Sequence, residues 1–123
     1  MYELRITSEF AAAHQLREHG GKCEKLHGHN WKVEVSVTGD ELQENGLLVD
    51  FREIKQATKE ALEELDHEFL NELPFFRDRN PSSENIARYL FQVLSERMDS
   101  EKVRIGKVTA WESDTACATY MEP

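Results

Sequence analysis

Apolar and polar residues alternate from the second residue onward. Tyr2, Leu4, Ile6, Phe10, Ala12 and His14 fall on one parity, interrupted by Ser8, and Glu3, Arg5, Thr7 and Glu9 fall on the other. A period of two is the signature of a half-buried strand. Residues 27–38 repeat it, with His27, His29, Trp31, Val33, Val35 and Val37 on one face and Lys32, Glu34, Ser36 and Thr38 on the other. The polar stretch between them, Gln15 to Leu26, contains Gly20-Gly21 and reads as a loop joining two antiparallel strands. The period then changes. Asp50 can cap a helix whose apolar stripe is Phe51, Ile54, Thr58, Ala61, Leu62 and Leu65, with Glu53 placed to reach back to the cap. Pro81-Ser82-Ser83-Glu84 starts a second helix, with Ile86, Leu90, Phe91 and Leu94 on its stripe. Alternation returns at Val103 and Ile105 and continues on the opposite parity at Val108, Ala110 and Glu112, so a bulge is predicted at Gly106. Ser113-Asp114 is a turn, and Thr115 to Met121 alternates again. The order strand, strand, helix, helix, strand, strand predicts an α+β fold, ββααββ: a four-stranded antiparallel sheet with two helices on one face.

Composition narrows the class. A chain of 123 residues fits one domain, taken as 1–123. A net charge of -9 argues against a nucleic-acid footprint, which needs clustered positive charge. No apolar run approaches the roughly 20 residues of a membrane helix. The N-terminus reads as a strand rather than a signal peptide, and two cysteines, Cys23 and Cys117, make no disulfide framework. The expectation is a soluble cytoplasmic domain without membrane or nucleic-acid partners.

Five histidines remain to be explained. Residues two apart on a strand point to the same side, so His27 and His29 project from one face. His14 lies near the end of the first strand, which a hairpin brings beside the start of the second. Three neutral imidazoles from two strands suit Zn²⁺ and leave a coordination position open. Ordinary histidines with local hydrogen bonds are the alternative, less economical for a same-face pair facing a third. His19, in a polar loop, reads as solvent-exposed.

Four more positions carry candidate chemistry. Cys23 lies between Lys22 and Lys25, four residues before His27; nearby positive charge favours the reactive thiolate, although an inert loop thiol fits equally. Cys117, inside an alternating strand, reads as a small packed hydrophobe. Asp66-His67 follows the first helix. It is either an acid–base pair or a histidine favoured by the helix dipole. Glu112 shares the parity of Val108 and Ala110, where a carboxylate is costly unless paired. A ligand edge with adjacent N–H donors would pair with it; a strand-end carboxylate reaching solvent is the alternative.

In order and spacing, several segments resemble the family of 6-pyruvoyl-tetrahydropterin and 6-carboxytetrahydropterin synthases. They are Phe-Ala-Ala-Ala-His at 10–14, Gly-Lys-Cys at 21–23, Leu-His-Gly-His-Asn at 26–30 and Val-Asp-Phe at 49–51. The match continues with Leu-Asp-His at 65–67, Leu-Asn at 70–71, Asn-Pro-Ser-Ser-Glu-Asn at 80–85 and Trp-Glu-Ser at 111–113. Ser82 departs from the family's usual Thr but keeps the hydroxyl. The resemblance implies a T-fold, in which a homo-oligomer, expected to be a hexamer, assembles its sheets into a barrel with sites between subunits. It implies zinc on His14, His27 and His29, Cys23 as catalytic thiol, Asp66 and His67 as proton relay, and Glu112 as anchor of a pterin ring. The compact Cys-x-x-x-His-Gly-His spacing resembles the bacterial queuosine-pathway branch. That branch acts on 7,8-dihydroneopterin triphosphate and releases a 6-carboxypterin, acetaldehyde and triphosphate. Competing readings are the pyruvoyl-forming branch, which eliminates triphosphate and keeps the side-chain carbons, and a non-catalytic zinc- and pterin-binding assembly protein. A generic zinc hydrolase lacks support, since no His-Glu-x-x-His helix is present.

Overall fold

The structure, a computed structural model, describes residues 1–17 and 25–123. Two long strands, β1 (Tyr2–His14) and β2 (His27–Gly39), pair antiparallel over their whole length, from Tyr2 opposite Gly39 to His14 opposite His27. Helix α1 (Phe51–Glu63) follows, then two short 3₁₀ turns at Leu70–Glu72 and Pro74–Phe76, then α2 (Ser83–Met98). Strands β3 (Arg104–Ser113) and β4 (Ala116–Met121) complete a four-stranded antiparallel sheet in the order β1-β2-β3-β4. The predicted ββααββ order is the observed one. The period-two alternation chose the face: α1 packs against β1, and α2 against β3 and β4.

On the covered face Trp31, Val33, Val35 and Val37 of the central β2 are fully buried, and Ile54, Leu62, Ile86, Leu90 and Leu94 reach them from the helices. At about 25 cal/mol per Å² of apolar surface, each such side chain contributes roughly 1.5–3 kcal/mol to folding. The other face is polar. Ser36 Oγ donates to Glu3 Oε2 at 2.7 Å, Lys107 Nζ lies 3.7 Å from the same carboxylate oxygen, and the Thr109 and Thr119 hydroxyls meet at 2.7 Å.

Both helix starts follow their capping residues. Asp50 accepts from the Arg52 N–H at 2.8 Å and Ser82 from the Asn85 N–H at 3.2 Å. The capping box expected of Glu53 is not formed: it meets Asp50 only through its backbone N–H, which donates to the Asp50 carbonyl at 3.0 Å. The bulge falls where parity switches. The register slips between Ser36 and Val37, opposite Gly106, and a Cβ there would meet Thr38 Cγ2 at 3.0 Å. At the far end of α2, Asp99 Oδ1 accepts from the Ile105 N–H at 2.8 Å and ties the helix to β3.

Two expectations fail on the surface. Phe51 is 50% exposed, because the stripe of α1 that meets the sheet is Ile54, Thr58, Ala61 and Leu62. Cys117 is exposed as well, because Ala118 and Tyr120 are the more buried residues of β4 and Cys117 alternates to the other side. Leu65 lies two residues beyond α1 yet is fully buried. No helix among the described residues is long and apolar enough to cross a membrane.

Candidate metal centre and proton-relay pair

Register alone assembles the histidines. His14 stands opposite His27, and Ala12 opposite His29, so the three imidazoles share the covered face at its open end. Their ring centroids lie 4.5 to 5.1 Å apart. Trp31 forms the floor, edge-on to His14 at 5.1 Å and to His29 at 5.4 Å. His14 has no exposed surface.

Hydrogen bonds behind the rings decide which nitrogens face inward. His14 Nδ1 donates to the Pro81 carbonyl at 2.8 Å and His27 Nδ1 to the Lys25 carbonyl at 2.9 Å. A carbonyl only accepts, so each Nδ1 carries a proton, and each ring when neutral turns an unprotonated Nε2 inward. Those two Nε2 atoms lie 3.1 Å apart. Two lone pairs at that distance repel unless a cation sits between them. The ligand nitrogens of a tetrahedral zinc site, with bonds of 2.0–2.1 Å, stand about 3.3 Å apart.

The third ring fits the same reading. His29 Nε2 is buried without a hydrogen-bond partner, although Glu112 Oε1 lies 3.1 Å away in a misaligned ion-pair contact. A buried polar atom left unsatisfied calls for a missing partner. Burial holds the His29 imidazole below its ordinary pKa; Glu112 pulls it up, and His14 and His27 push it down again. One donor atom from each of His14, His27, His29 and Glu112 falls within 4.8 Å of the others. This donor set fits a divalent cation, with imidazole backed by carbonyl oxygen as metal-binding histidines commonly are. Glu112, contacted at 3.5 Å by Ser83 Oγ, has one oxygen beside the cluster and can serve either a cation or a ligand.

Asp66 and His67 sit on the outer edge of β1. Asp66 Oδ1 accepts from the Ala11 N–H at 2.9 Å, and the His67 N–H donates to the Ala11 carbonyl at 2.6 Å. Their side chains pair, His67 Nδ1 to Asp66 Oδ2 at 3.0 Å. The Ala11 N–H is the first cause holding the Asp66 carboxyl below its ordinary pKa, and His67 adds to it. His67 takes a φ of 60°, the left-handed region in which histidine is among the enriched side chains. Its side chain is 81% exposed. His67 stands four residues past the end of α1, and the Asp66 N–H still donates to the Leu62 carbonyl at 2.9 Å. His67 and His29 nevertheless line one open groove of about 580 Å³, with Ala12, Gly28, Asn30 and Phe69.

Cys23, Lys22 and His19 lie outside the described residues. Sequence reasoning brought His14, His27 and His29 together and paired Asp66 with His67. It missed the Pro81 and Lys25 carbonyls, the Trp31 floor and the closeness of Glu112 to His29. Backbone acceptors leave no residue-type signal, but the Pro at position 81 and its preceding Asn mark a rigid turn worth placing near the site.

The fold is thus an antiparallel sheet backed by two helices, with a histidine cluster able to hold a cation and an Asp66–His67 pair on one groove with His29. The family profile described as 6-pyruvoyl tetrahydropterin synthase matches residues 3–123, and the chain belongs to that family. It is similar to a putative 6-carboxy-5,6,7,8-tetrahydropterin synthase of Archaeoglobus fulgidus, 39% identical, with 85% of this chain and 86% of the relative covered. It is also similar to the 6-carboxy-5,6,7,8-tetrahydropterin synthase of Haemophilus influenzae, 30% identical over 99% of this chain and 100% of the relative. Among solved structures, the 6-pyruvoyl tetrahydropterin synthase of Caenorhabditis elegans superposes with a TM-score of 0.85 at 26% identity, covering 99% of this chain and 96% of the other. The chain is thus an enzyme, a lyase of the tetrahydropterin synthase kind, with the T-fold of its structural neighbours.

Proposed function

We propose that this enzyme is a zinc-dependent 6-carboxy-5,6,7,8-tetrahydropterin synthase. It converts 7,8-dihydroneopterin triphosphate and water to the 6-carboxypterin, acetaldehyde and triphosphate, on the route to queuosine and other 7-deazaguanine compounds. The observation that carries the reading is the convergence of donor atoms of His14, His27, His29 and Glu112 within 4.8 Å, with His29 lining the groove that also holds His67. Relatives named for the carboxy reaction at 39% and 30% identity support this branch.

His14, His27 and His29 would hold the zinc ion, which when bound supplies Lewis acidity at the substrate's side-chain oxygens. Glu112 pairs with the amino and ring N–H donors of the pterin and fixes its register. Cys23, as thiolate, takes a proton from the side chain. His67, oriented by Asp66, carries protons at the neighbouring carbon. Dividing the work between two groups lets one site both isomerise the side chain and cleave it. The chain acts as one domain, 1–123, in a cytoplasmic homo-oligomer, a hexamer with sites between subunits. The 81% exposure of His67 supports that placement, since a relay so open to water needs a neighbouring surface to enclose it.

The runner-up is the 6-pyruvoyl reaction, favoured by the name of the Caenorhabditis elegans structure. Incubation with 7,8-dihydroneopterin triphosphate separates the two. Acetaldehyde in step with a 6-carboxypterin mass supports the proposal, and a pyruvoyl product without acetaldehyde contradicts it.

A further inference from the structure

The C-terminal end of the outer edge of β1 is covered by one stretch of chain. Alternate residues of an edge strand turn their backbone N–H and C=O outward. At Ala11 those groups meet the Asp66 carboxylate and the His67 N–H, and at Ala13 the N–H donates to the Glu68 carbonyl at 3.0 Å. The same parity continues beyond His14 at Gln15 and Arg17. There two asparagines take over. Asn71 Oδ1 accepts from the Gln15 N–H at 2.9 Å while its Nδ2 donates to the Gln15 carbonyl at 2.6 Å. Asn80 repeats the arrangement on Arg17, at 2.6 and 2.7 Å. A carboxamide offers one acceptor and one donor side by side, so each asparagine satisfies a whole residue of strand edge.

Asn80 also bears on the metal centre. The carbonyl of its neighbour Pro81 accepts from His14 Nδ1 at 2.8 Å. Asn80 is itself held, since Asn85 Nδ2 donates to its carbonyl at 2.9 Å. The Arg17 guanidinium adds bonds to the Arg79 carbonyl at 3.1 Å and the Phe76 carbonyl at 2.9 Å. The chain flanking His14 and the acceptor behind its ring are thereby bolted to one another.

We propose that Asn71 and Asn80 are positioning residues for the metal centre. They clamp the backbone that follows His14 to the connection between the helices, and Asn80 thereby places the Pro81 carbonyl that turns His14 Nε2 toward the cation. The proposal rests on the metal-binding reading above.

The test is Zn²⁺ affinity, by competition with a chelating dye on folded protein, together with the visible absorption of the Co²⁺-substituted protein. Asn80→Ala should weaken Zn²⁺ binding about 10–100-fold, the usual scale for an outer partner of a metal ligand, and alter the Co²⁺ spectrum. Asn71→Ala should act in the same direction and less. Asp99→Ala, which removes a comparable bond at the far end of α2, should lower Tm without either change. If Asn80→Ala does not fold, Asn80→Asp keeps the acceptor for the Arg17 N–H and loses the donor to its carbonyl, and the same weakening is expected. Wild-type affinity and spectrum in the folded Asn80 and Asn71 variants would overturn the proposal. A wild-type protein that takes up neither Zn²⁺ nor Co²⁺ would overturn the metal reading, and the proposal with it.

Discussion

The two halves of the site are built in opposite ways. The three histidines come from strand register and lie on the covered face, and His14 and His27 are pinned from behind by carbonyls; His14 has no exposed surface at all. Asp66 and His67 come from an irregular turn, hang on the sheet edge by the Asp66 carboxylate and the His67 N–H bonded to the Ala11 backbone, and leave the His67 ring open to solvent. The difference follows from the chemistry each half is suited to. A metal centre needs ligand atoms fixed to within a fraction of an ångström, and a buried sheet end supplies that rigidity. A proton carrier must reach a substrate that comes and goes, so it is presented on an edge. The two should therefore fail separately when mutated.

The largest effect should come from the rigid half. His29→Ala should empty the metal site by elemental analysis and lower turnover on the order of a thousandfold or more, the scale of several kcal/mol of lost charge stabilisation. Full zinc occupancy in that variant would break the three-histidine assignment. Next come the residues proposed to carry protons. His67→Ala and Cys23→Ala should each lower turnover about a hundredfold or more with zinc retained. Near-normal turnover in either removes that residue from the mechanism.

The smallest effect concerns stability and pH. The Asp66 carboxyl is held below the ordinary aspartate range, first by the Ala11 N–H. A depressed carboxylate contributes stability above the unfolded-state pKa, and that contribution fades as pH falls through the lower folded-state value. The Tm gap between wild type and Asp66→Ala should therefore be present at about pH 5 and shrink toward about pH 3. A gap that stays constant across that range would mean that the Ala11–Asp66 bond does not depend on ionisation.

Parity explains how much could be read before any coordinates. In an antiparallel pair, alternation determines face, so His14, His27 and His29 on the apolar parity had to converge once β1 and β2 formed a hairpin. The parity switch at Gly106 located the bulge for the same reason. Parity does not say which side of a short edge strand is covered, and Cys117 lies on the uncovered one. Residues 64–82 show no periodicity, so the turns that carry Asn71 and Asn80 across to β1 were invisible. Each of those contacts joins residues more than fifty positions apart through a side-chain amide, a pairing with no local signature. The aspartate-histidine pair was legible only as neighbours; its place beside Ala11 depends on the positive φ at His67.

The most direct test of a fixed metal centre served by a separately presented relay is the zinc content of purified His67→Ala. The structure predicts about one zinc per chain, as in wild type, alongside collapsed turnover. Loss of the metal from that variant would contradict the separation and make the relay part of the metal centre.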